Sequence, residues 1–385
     1  MNITTTLDPT SWFRQMQEES PVYYDPDMTF YFGGKGAWQV FRYNDVQRGL
    51  SDYAYFSNQY VPKQASLGNS LPMTDPPDHK KIRSLFNKAF TPPVMTQLSQ
   101  WIHQKCDELL SPFMPTGKID FIRDFADLLP ATVIARLLGA TDQDDRTIVS
   151  WARTLIGDPT VIGIAAFQQV QVEMGGYFYQ LLQTRKKEPQ EDLVSYLLAT
   201  SLDGEGLTDA DIIANCIAFL VAGSESVSGL LGNTMLTLTE RPDLQMHLAQ
   251  HPEDIPGTIN EVLRFRSPVL SITRIARQPV TLNGQAIQEG DLVNLWIAAA
   301  NRDPDVYASP DTFDLNRDNS KVLTFGYGIH HCIGALLARL ETKIAVGYLV
   351  SHMTGFSVAP LHELARVPNV ASFKYESLPI HFTTL

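Results

Sequence analysis

The chain has 385 residues, of which 44% are hydrophobic, 10% aromatic and 19% charged. Those proportions belong to a globular protein with a large core and exclude a disordered chain, a collagen-like repeat or a coiled-coil rod. With 30 Lys and Arg against 42 Asp and Glu, the net charge is −12, which excludes nucleic-acid binding through a generally basic surface and leaves only a local basic patch.

The first residues, Met1 to Asp8, lack the basic and apolar regions of a signal peptide, so a soluble cytoplasmic protein without a membrane anchor is expected. The three cysteines, Cys106, Cys216 and Cys332, are odd in number and far apart, which argues against a disulfide framework. Short strands are predicted at Val22-Tyr23-Tyr24, Thr29-Phe30-Tyr31-Phe32 and Trp38-Gln39-Val40, where β-branched and aromatic residues alternate with Asp-Pro and Gly-Gly turn signals. From about Asn44 helical spacing takes over. Val94 to Met114, Phe121 to Leu138, Gln168 to Lys187 and Asp192 to Leu202 carry apolar residues at intervals of three and four. The charged run Arg185 to Asp192 reads as a solvated loop between two helices rather than a domain linker.

Thr208 is a fitting N-cap, with Asp211 in the first turn, for a helix that cannot pass Arg241-Pro242. Some 30 residues at 1.5 Å each make roughly 45 Å, enough to cross a domain. Its first half is apolar on nearly every side, the mark of a helix buried through a core. Later signals are the helical turn Glu261 to Phe265, strands at Val280-Thr281-Leu282 and Leu292 to Leu295, an Asn283-Gly284 hairpin turn, and a last helix from Cys332 to about His352. One mainly α domain with a minor β region, spanning residues 1–385, is expected.

The segment Phe325-Gly326-Tyr327-Gly328-Ile329-His330-His331-Cys332-Ile333-Gly334 carries the strongest chemical signal. Its glycines permit positive φ and close backbone approach, and a cysteine opening a helix meets N–H groups that favour a thiolate. Such a thiolate can ligate iron. Zinc is the competing reading, but His330, His331 and Cys332 are too close in sequence to surround one tetrahedral ion, and no second ligand pair stands elsewhere. A nucleophilic cysteine is a third reading, without a clear base and orienting group.

Phe325-x-x-Gly328-x-His330-x-Cys332-x-Gly334 resembles the haem-binding signature of the cytochrome P-450 superfamily at every specified position. The resemblance implies the mainly helical P-450 fold, haem b, and Cys332 as the thiolate ligand of iron, a ligand that pushes electron density toward O–O cleavage. It implies that Phe325 packs beside the thiolate and that His330 bonds a haem propionate. Glu261-Val262-Leu263-Arg264 is similar to the family's ExxR pair. By itself an i, i+3 pair is a common surface ion pair; the resemblance implies that Glu261 and Arg264 form a buried structural pair tied to a downstream arginine region, resembled here by Pro310-Asp311-Thr312-Phe313. His79 and Arg83, one turn apart after Asp75-Pro76-Pro77-Asp78, and Arg274 resemble further propionate donors, which two buried negative groups require.

Ala222-Gly223-Ser224-Glu225-Ser226 places a glycine, an acid and a hydroxyl in the apolar central helix. Glycine costs about 1 kcal/mol of helix propensity there, and a buried acid needs a partner. The segment resembles the family's oxygen-activation motif, in which Gly223 would allow a helix distortion that makes room for dioxygen while Glu225 and Ser226 relay protons. Ser226 stands where threonine is usual. The resemblance runs from Pro21-Val22-Tyr23-Tyr24 through Asn301-Arg302-Asp303-Pro304 to Leu378-Pro379-Ile380.

It implies a monooxygenase that inserts one atom of O2 into an organic substrate, with NAD(P)H electrons delivered by a separate ferredoxin and ferredoxin reductase. A monomer is expected. The basic residues His79, Lys80, Lys81, Arg83, Lys88 and Arg339 are expected to form the patch that meets an acidic ferredoxin. A non-catalytic haem sensor or carrier-protein recruiter could discard the acid and alcohol, and a peroxygenase would not need them; both are retained here. Ala218, Val221, Ala222, Val269, Leu270 and Ile272 are expected to wall an apolar substrate pocket, with Tyr60 to Leu71 and Trp151 to Phe167.

Overall fold

The apolar periodicity of the chain decides where its helices form in a computed structural model, which describes residues 3–30, 34–63, 67–87, 92–141, 145–156, 163–201, 206–358 and 360–385. In chain order the helices are α1 (Thr10–Glu19), α2 (Tyr43–Ser51), α3 (Asp78–Asn87), α4 (Pro92–Leu110), α5 (Leu128–Leu138), α6 (Asp145–Ile156), α7 (Ile164–Lys187), α8 (Leu193–Ser201), α9 (Asp209–Glu240), α10 (Pro242–Gln250), α11 (Ile255–Phe265), α12 (Ile297–Ala300) and α13 (Ala335–His352). The strands are β1 (Val22–Thr29), β2 (Lys35–Val40), β3 (Phe56–Ser57), β4 (Lys118–Asp120), β5 (Ile272–Ala276), β6 (Val280–Leu282), β7 (Gln285–Ile287), β8 (Leu292–Leu295), β9 (Met353–Val358) and β10 (Pro379–Thr384).

The central helix α9 starts as its sequence requires. Thr208 Oγ1 accepts the Asp211 N–H at 3.2 Å while Asp211 Oδ2 accepts the Thr208 N–H at 3.1 Å, a complete capping box. It ends at Arg241, because Pro242 offers no N–H and disfavours a helical residue before it. Helices α5, α6, α7, α11 and α13 pack around it. Among the described residues α9 is the one helix long and apolar enough to cross a membrane, and most of its apolar length is buried inside the protein. The main hydrophobic core joins these helices through residues such as Phe125, Ile134, Ile217, Leu220, Leu231 and Leu337.

A second apolar cluster lies under the five-stranded sheet, whose order is β1-β2-β8-β5-β3. Strands β2 and β8 run parallel and the other neighbours antiparallel. Pairing of Arg274 with Val293 sets Arg274 inside this sheet. Hairpin β6–β7 turns at Asn283 and Gly284, both with positive φ (45° and 78°), as its sequence requires.

Four expectations change. The first strand runs unbroken from Val22 through Asp25-Pro26 to Thr29, with a register shift after Asp25; β1 is an edge strand, where a proline without an N–H is tolerated. Tyr31 and Phe32 lie outside the described residues. The run from Phe121 divides into a π-helical turn, Ile122–Ala126, and α5. The loop from Arg185 to Asp192 is not simply solvated: Arg185 Nε donates to Asp192 at 2.5 Å and its Nη2 to the Gly139 carbonyl at 2.7 Å, joining α7 to the end of α5. The last helix begins at Ala335 with Gly334 as its N-cap, so Cys332 sits in the loop before it.

Candidate haem site

Glycines at 326 and 328 take φ of 73° and 74°, backbone that other residues rarely adopt, and fold the loop so that the Cys332 N–H reaches the Phe325 carbonyl at 2.7 Å. The loop thereby closes on itself and presents the Cys332 side chain. Cys332 has accessible surface, whereas Cys106 and Cys216 are buried. Burial by surrounding protein nonetheless raises the Cys332 thiol pKa, outweighing the Gly334 and Ala335 N–H groups and the nearby Arg83 and Arg339. The Gly334 and Ala335 N–H groups point at the sulfur and, with Arg83 and Arg339, favour the thiolate, while burial opposes them. Phe325, on this loop, stacks under the guanidinium of Arg339 from α13 at 4.3 Å.

The four expected propionate donors converge. The His79 and His330 rings lie 4.3 Å apart. Arg83 interacts electrostatically with both histidines, and Arg274 with His330. Burial, with His330 and Arg83 beside it, depresses His79 from 6.5 to about 4. Burial likewise lowers His330. Nε2 of each is buried without a hydrogen-bond partner, Asp75 Oδ1 standing 3.6 Å from His330 Nε2. Arg274 is 3% exposed, its guanidinium bonds the Thr273 carbonyl at 2.9 Å, and it interacts electrostatically with Tyr60 and Asp75. The unpartnered Nε2 of His79, the Nε2 of His330 with Asp75 as its nearest acceptor, and two guanidinium groups in one desolvated cluster leave donors to spare for a further anion. The residues therefore fit a haem with two propionates beside a thiolate. Among the described residues no group of three or more His, Cys, Asp or Glu could hold a metal, so the zinc reading has no ligand set.

His79 leaves the expected basic patch, being buried and neutral; Lys80 and Lys81 are exposed, Arg83 and Arg339 partly so, and Lys88 lies outside the described residues.

Glu261 and Arg264 are buried completely. Arg264 makes two parallel bonds to the Glu261 carboxylate, at 2.9 and 2.7 Å, and reaches the carbonyls of Asn301, Pro310 and Thr312. Arg317, absent from the sequence reading, completes the unit through Nε to Glu261 Oε1 at 3.2 Å, and the Asp314 N–H reaches the same oxygen at 3.0 Å. No periodicity marks Arg317, but it lies four residues beyond Phe313, at the end of the downstream arginine region that the resemblance implied without naming the arginine.

Along α9, Phe219, Gly223 and Ser226 are partly accessible and Ala222 is exposed, although most of the helix is buried. Positions 219, 222, 223 and 226 lie on one helical face, so this face of α9 keeps accessible surface. The helix is continuous at Gly223, contrary to the expected distortion. A Cβ there would stand 2.7 Å from the Ile134 side chain, so glycine lets α5 pack close. Ser226 Oγ donates to the Ala222 carbonyl at 2.8 Å. Burial raises the Glu225 pKa. Of the expected pocket residues, Val221, Ala222, Val269 and Ile272 keep accessible surface, whereas Ala218 (6%) and Leu270 (2%) are packed into the interior, where neighbouring side chains cover them.

The cytochrome P450 family model matches residues 165–253 and 255–372, more than half of the chain. The chain belongs to the cytochrome P450 family. The protein named Cytochrome P450 109 from Bacillus spizizenii is 37% identical over 385 residues, covering 98% of this chain and 92% of its own. The Vitamin D(3) 25-hydroxylase of Pseudonocardia autotrophica is 35% identical over 333 residues, 84% of this chain and 82% of the relative. The crystal structure of CYP109E1 from Bacillus megaterium in complex with testosterone superposes with a TM-score of 0.89 at 32% identity, covering 97% of each chain. This P450 is a monooxygenase of the same mainly α architecture, using haem iron and O2.

Proposed function

We propose that residues 1–385 form a single haem domain that oxygenates a hydrophobic, steroid-sized substrate, with NAD(P)H electrons arriving through a ferredoxin reductase and a ferredoxin in the cytoplasm. The observation that carries the site is the convergence of His79, Arg83, Arg274 and His330 beside the accessible, desolvated Cys332. Cys332 would hold the iron and the four donors the propionates. When bound, the haem supplies the redox centre at which dioxygen is reduced and one oxygen atom enters the substrate.

The remaining chemistry belongs to the chain. Val221, Ala222, Val269 and Ile272 offer apolar surface that orients the substrate and excludes water. Glu225 can hold and release a proton at its carboxyl, because burial favours the neutral acid while Ser372 and Lys374 favour the carboxylate. Ser226 presents a hydroxyl on the accessible face of α9, able to pass that proton on once its bond to the Ala222 carbonyl opens. The names of the vitamin D hydroxylase and the testosterone complex support a polycyclic apolar substrate.

The test is turnover under isotopically labelled O2. One labelled oxygen atom in the product, dependent on NAD(P)H and both electron carriers, is expected. Product formed equally well from peroxide alone would replace this reading with a peroxygenase.

A further inference from the structure

Glu225 is gripped from the side of the chain's C-terminal segment. Ser372 Oγ donates to Glu225 Oε1, and Asn369 Nδ2 donates to the same oxygen at 3.3 Å. That segment is itself fixed. The Arg366 side chain is 2% exposed, and its guanidinium donates to the carbonyls of Asn369 and Ser372 and also to those of Ile3 and Thr6. On its other edge the Phe373 N–H bonds the Pro268 carbonyl at 2.8 Å, the Leu270 N–H bonds the Ala371 carbonyl at 2.8 Å, and Val269 and Ser372 pair in an antiparallel bridge. The loop that holds Glu225 is therefore the partner of the pocket wall at Val269.

Two residues beyond Ser372, the buried Lys374 adds a countercharge. Its Nζ donates to Asp127 Oδ1 at 2.7 Å, and that oxygen also accepts from Ser228, one turn along α9 from Glu225, at 2.6 Å. Arg153 of α6 closes the cluster behind Asp127 at 3.0 Å. Among the described residues Lys374 is the charge that acts on Glu225 directly, with Arg366 behind Ser372 and Asp127 and Arg153 behind Lys374.

A buried acid surrounded only by apolar groups would stay protonated and could release no proton. Here burial favours the acid, while the Ser372 hydroxyl and Lys374 favour the carboxylate. An acid balanced in this way can be emptied and refilled. Resting on the reading of Glu225 as a proton carrier, we infer that Ser372 and Asn369 are positioning residues for Glu225, holding its carboxyl and setting how readily it gives up and regains a proton.

The test uses the haem-loaded enzyme. The infrared carbonyl band of the protonated Glu225 carboxyl, identified by its loss in Glu225→Gln, is titrated against pH in the resting protein. Product and peroxide per NAD(P)H are measured in parallel. Ser372→Ala removes a donor to the carboxylate, so the titration should move to higher pH and peroxide should rise several-fold, while substrate affinity from the spin-state titration stays within about twofold. Ser372→Thr keeps the hydroxyl and should restore both; Ser372→Cys, a weak donor, replaces Ser372→Ala if that variant fails to load haem. A Glu225 titration unmoved by loss of the Ser372 hydroxyl overturns the inference, provided that Glu225→Gln itself raises peroxide. If Glu225→Gln leaves coupling unchanged, the reading of Glu225 as proton carrier fails instead.

Discussion

Glu261→Ala tests whether the ExxR pair stabilises the fold through burial. Four donors converge on this carboxylate: two from Arg264, one from Arg317 and the Asp314 N–H. Removing it leaves the Arg264 guanidinium, with no accessible surface, charged and without an anion. Breaking a buried pair in this way costs about 3–5 kcal/mol. Unfolding entropy of about 2.1 cal/mol/K per residue, over 385 residues, is about 0.8 kcal/mol/K. The expected loss is therefore about 4–6 °C in Tm, followed by circular dichroism on the haem-loaded protein. Glu261→Gln keeps an acceptor but not the charge, and charge-assisted bonds are about twice as strong as neutral ones, so it should lose about half as much. The control is Lys186–Asp209, a 2.6 Å pair with both side chains exposed. Asp209→Ala should cost under about 1 kcal/mol, because water screens that pair. Equal Tm losses for Glu261→Ala and Asp209→Ala would refute the argument that burial decides the value of the pair.

Cys332→His should abolish the red-shifted band of the reduced carbonyl complex, whereas Cys106→Ser and Cys216→Ser, at buried thiols whose pKa burial raises (Cys106 to about 12), should leave it unchanged. An unaltered band in Cys332→His would reject it as the ligand. Ser226→Ala should raise peroxide released per NAD(P)H more than it weakens substrate binding, and Ser226→Thr should preserve coupling; equal coupling in the wild type and Ser226→Ala would remove the hydroxyl from proton delivery. In haem-free protein, His79 is neutral in the fold but protonates at 6.5 when unfolded, so stability should be full above pH 6.5 and fall as pH drops toward about 4. His79→Gln should flatten that slope; an identical slope would refute the assignment. Reduction by an acidic ferredoxin should slow as salt rises, through Lys80, Lys81, Arg83 and Arg339, and a rate independent of ionic strength would exclude docking at these residues.

By itself the sequence determined those features whose physics is local in the chain. Thr208 and Asp211 cap α9 three residues apart, Pro242 stops it, and Asn283-Gly284 turns its hairpin, because each acts within a turn or two of backbone. The haem-loop motif was legible for the same reason: Gly326 and Gly328 bend the loop that brings the Cys332 N–H to Phe325 seven residues earlier. Only the tertiary structure decided what meets across separations of 56 to 147 residues. It made Gly223 a packing contact with Ile134, where the family resemblance implied a distorted helix. It buried His79 and made it neutral, removing it from the basic patch, and it covered Ala218 and Leu270 while leaving Val221 and Val269 accessible. It brought Arg317 to Glu261, and Ser372 and Asn369 to Glu225. Burial and long-range hydrogen bonds depend on which surfaces the fold presses together, and no spacing within a single segment encodes them.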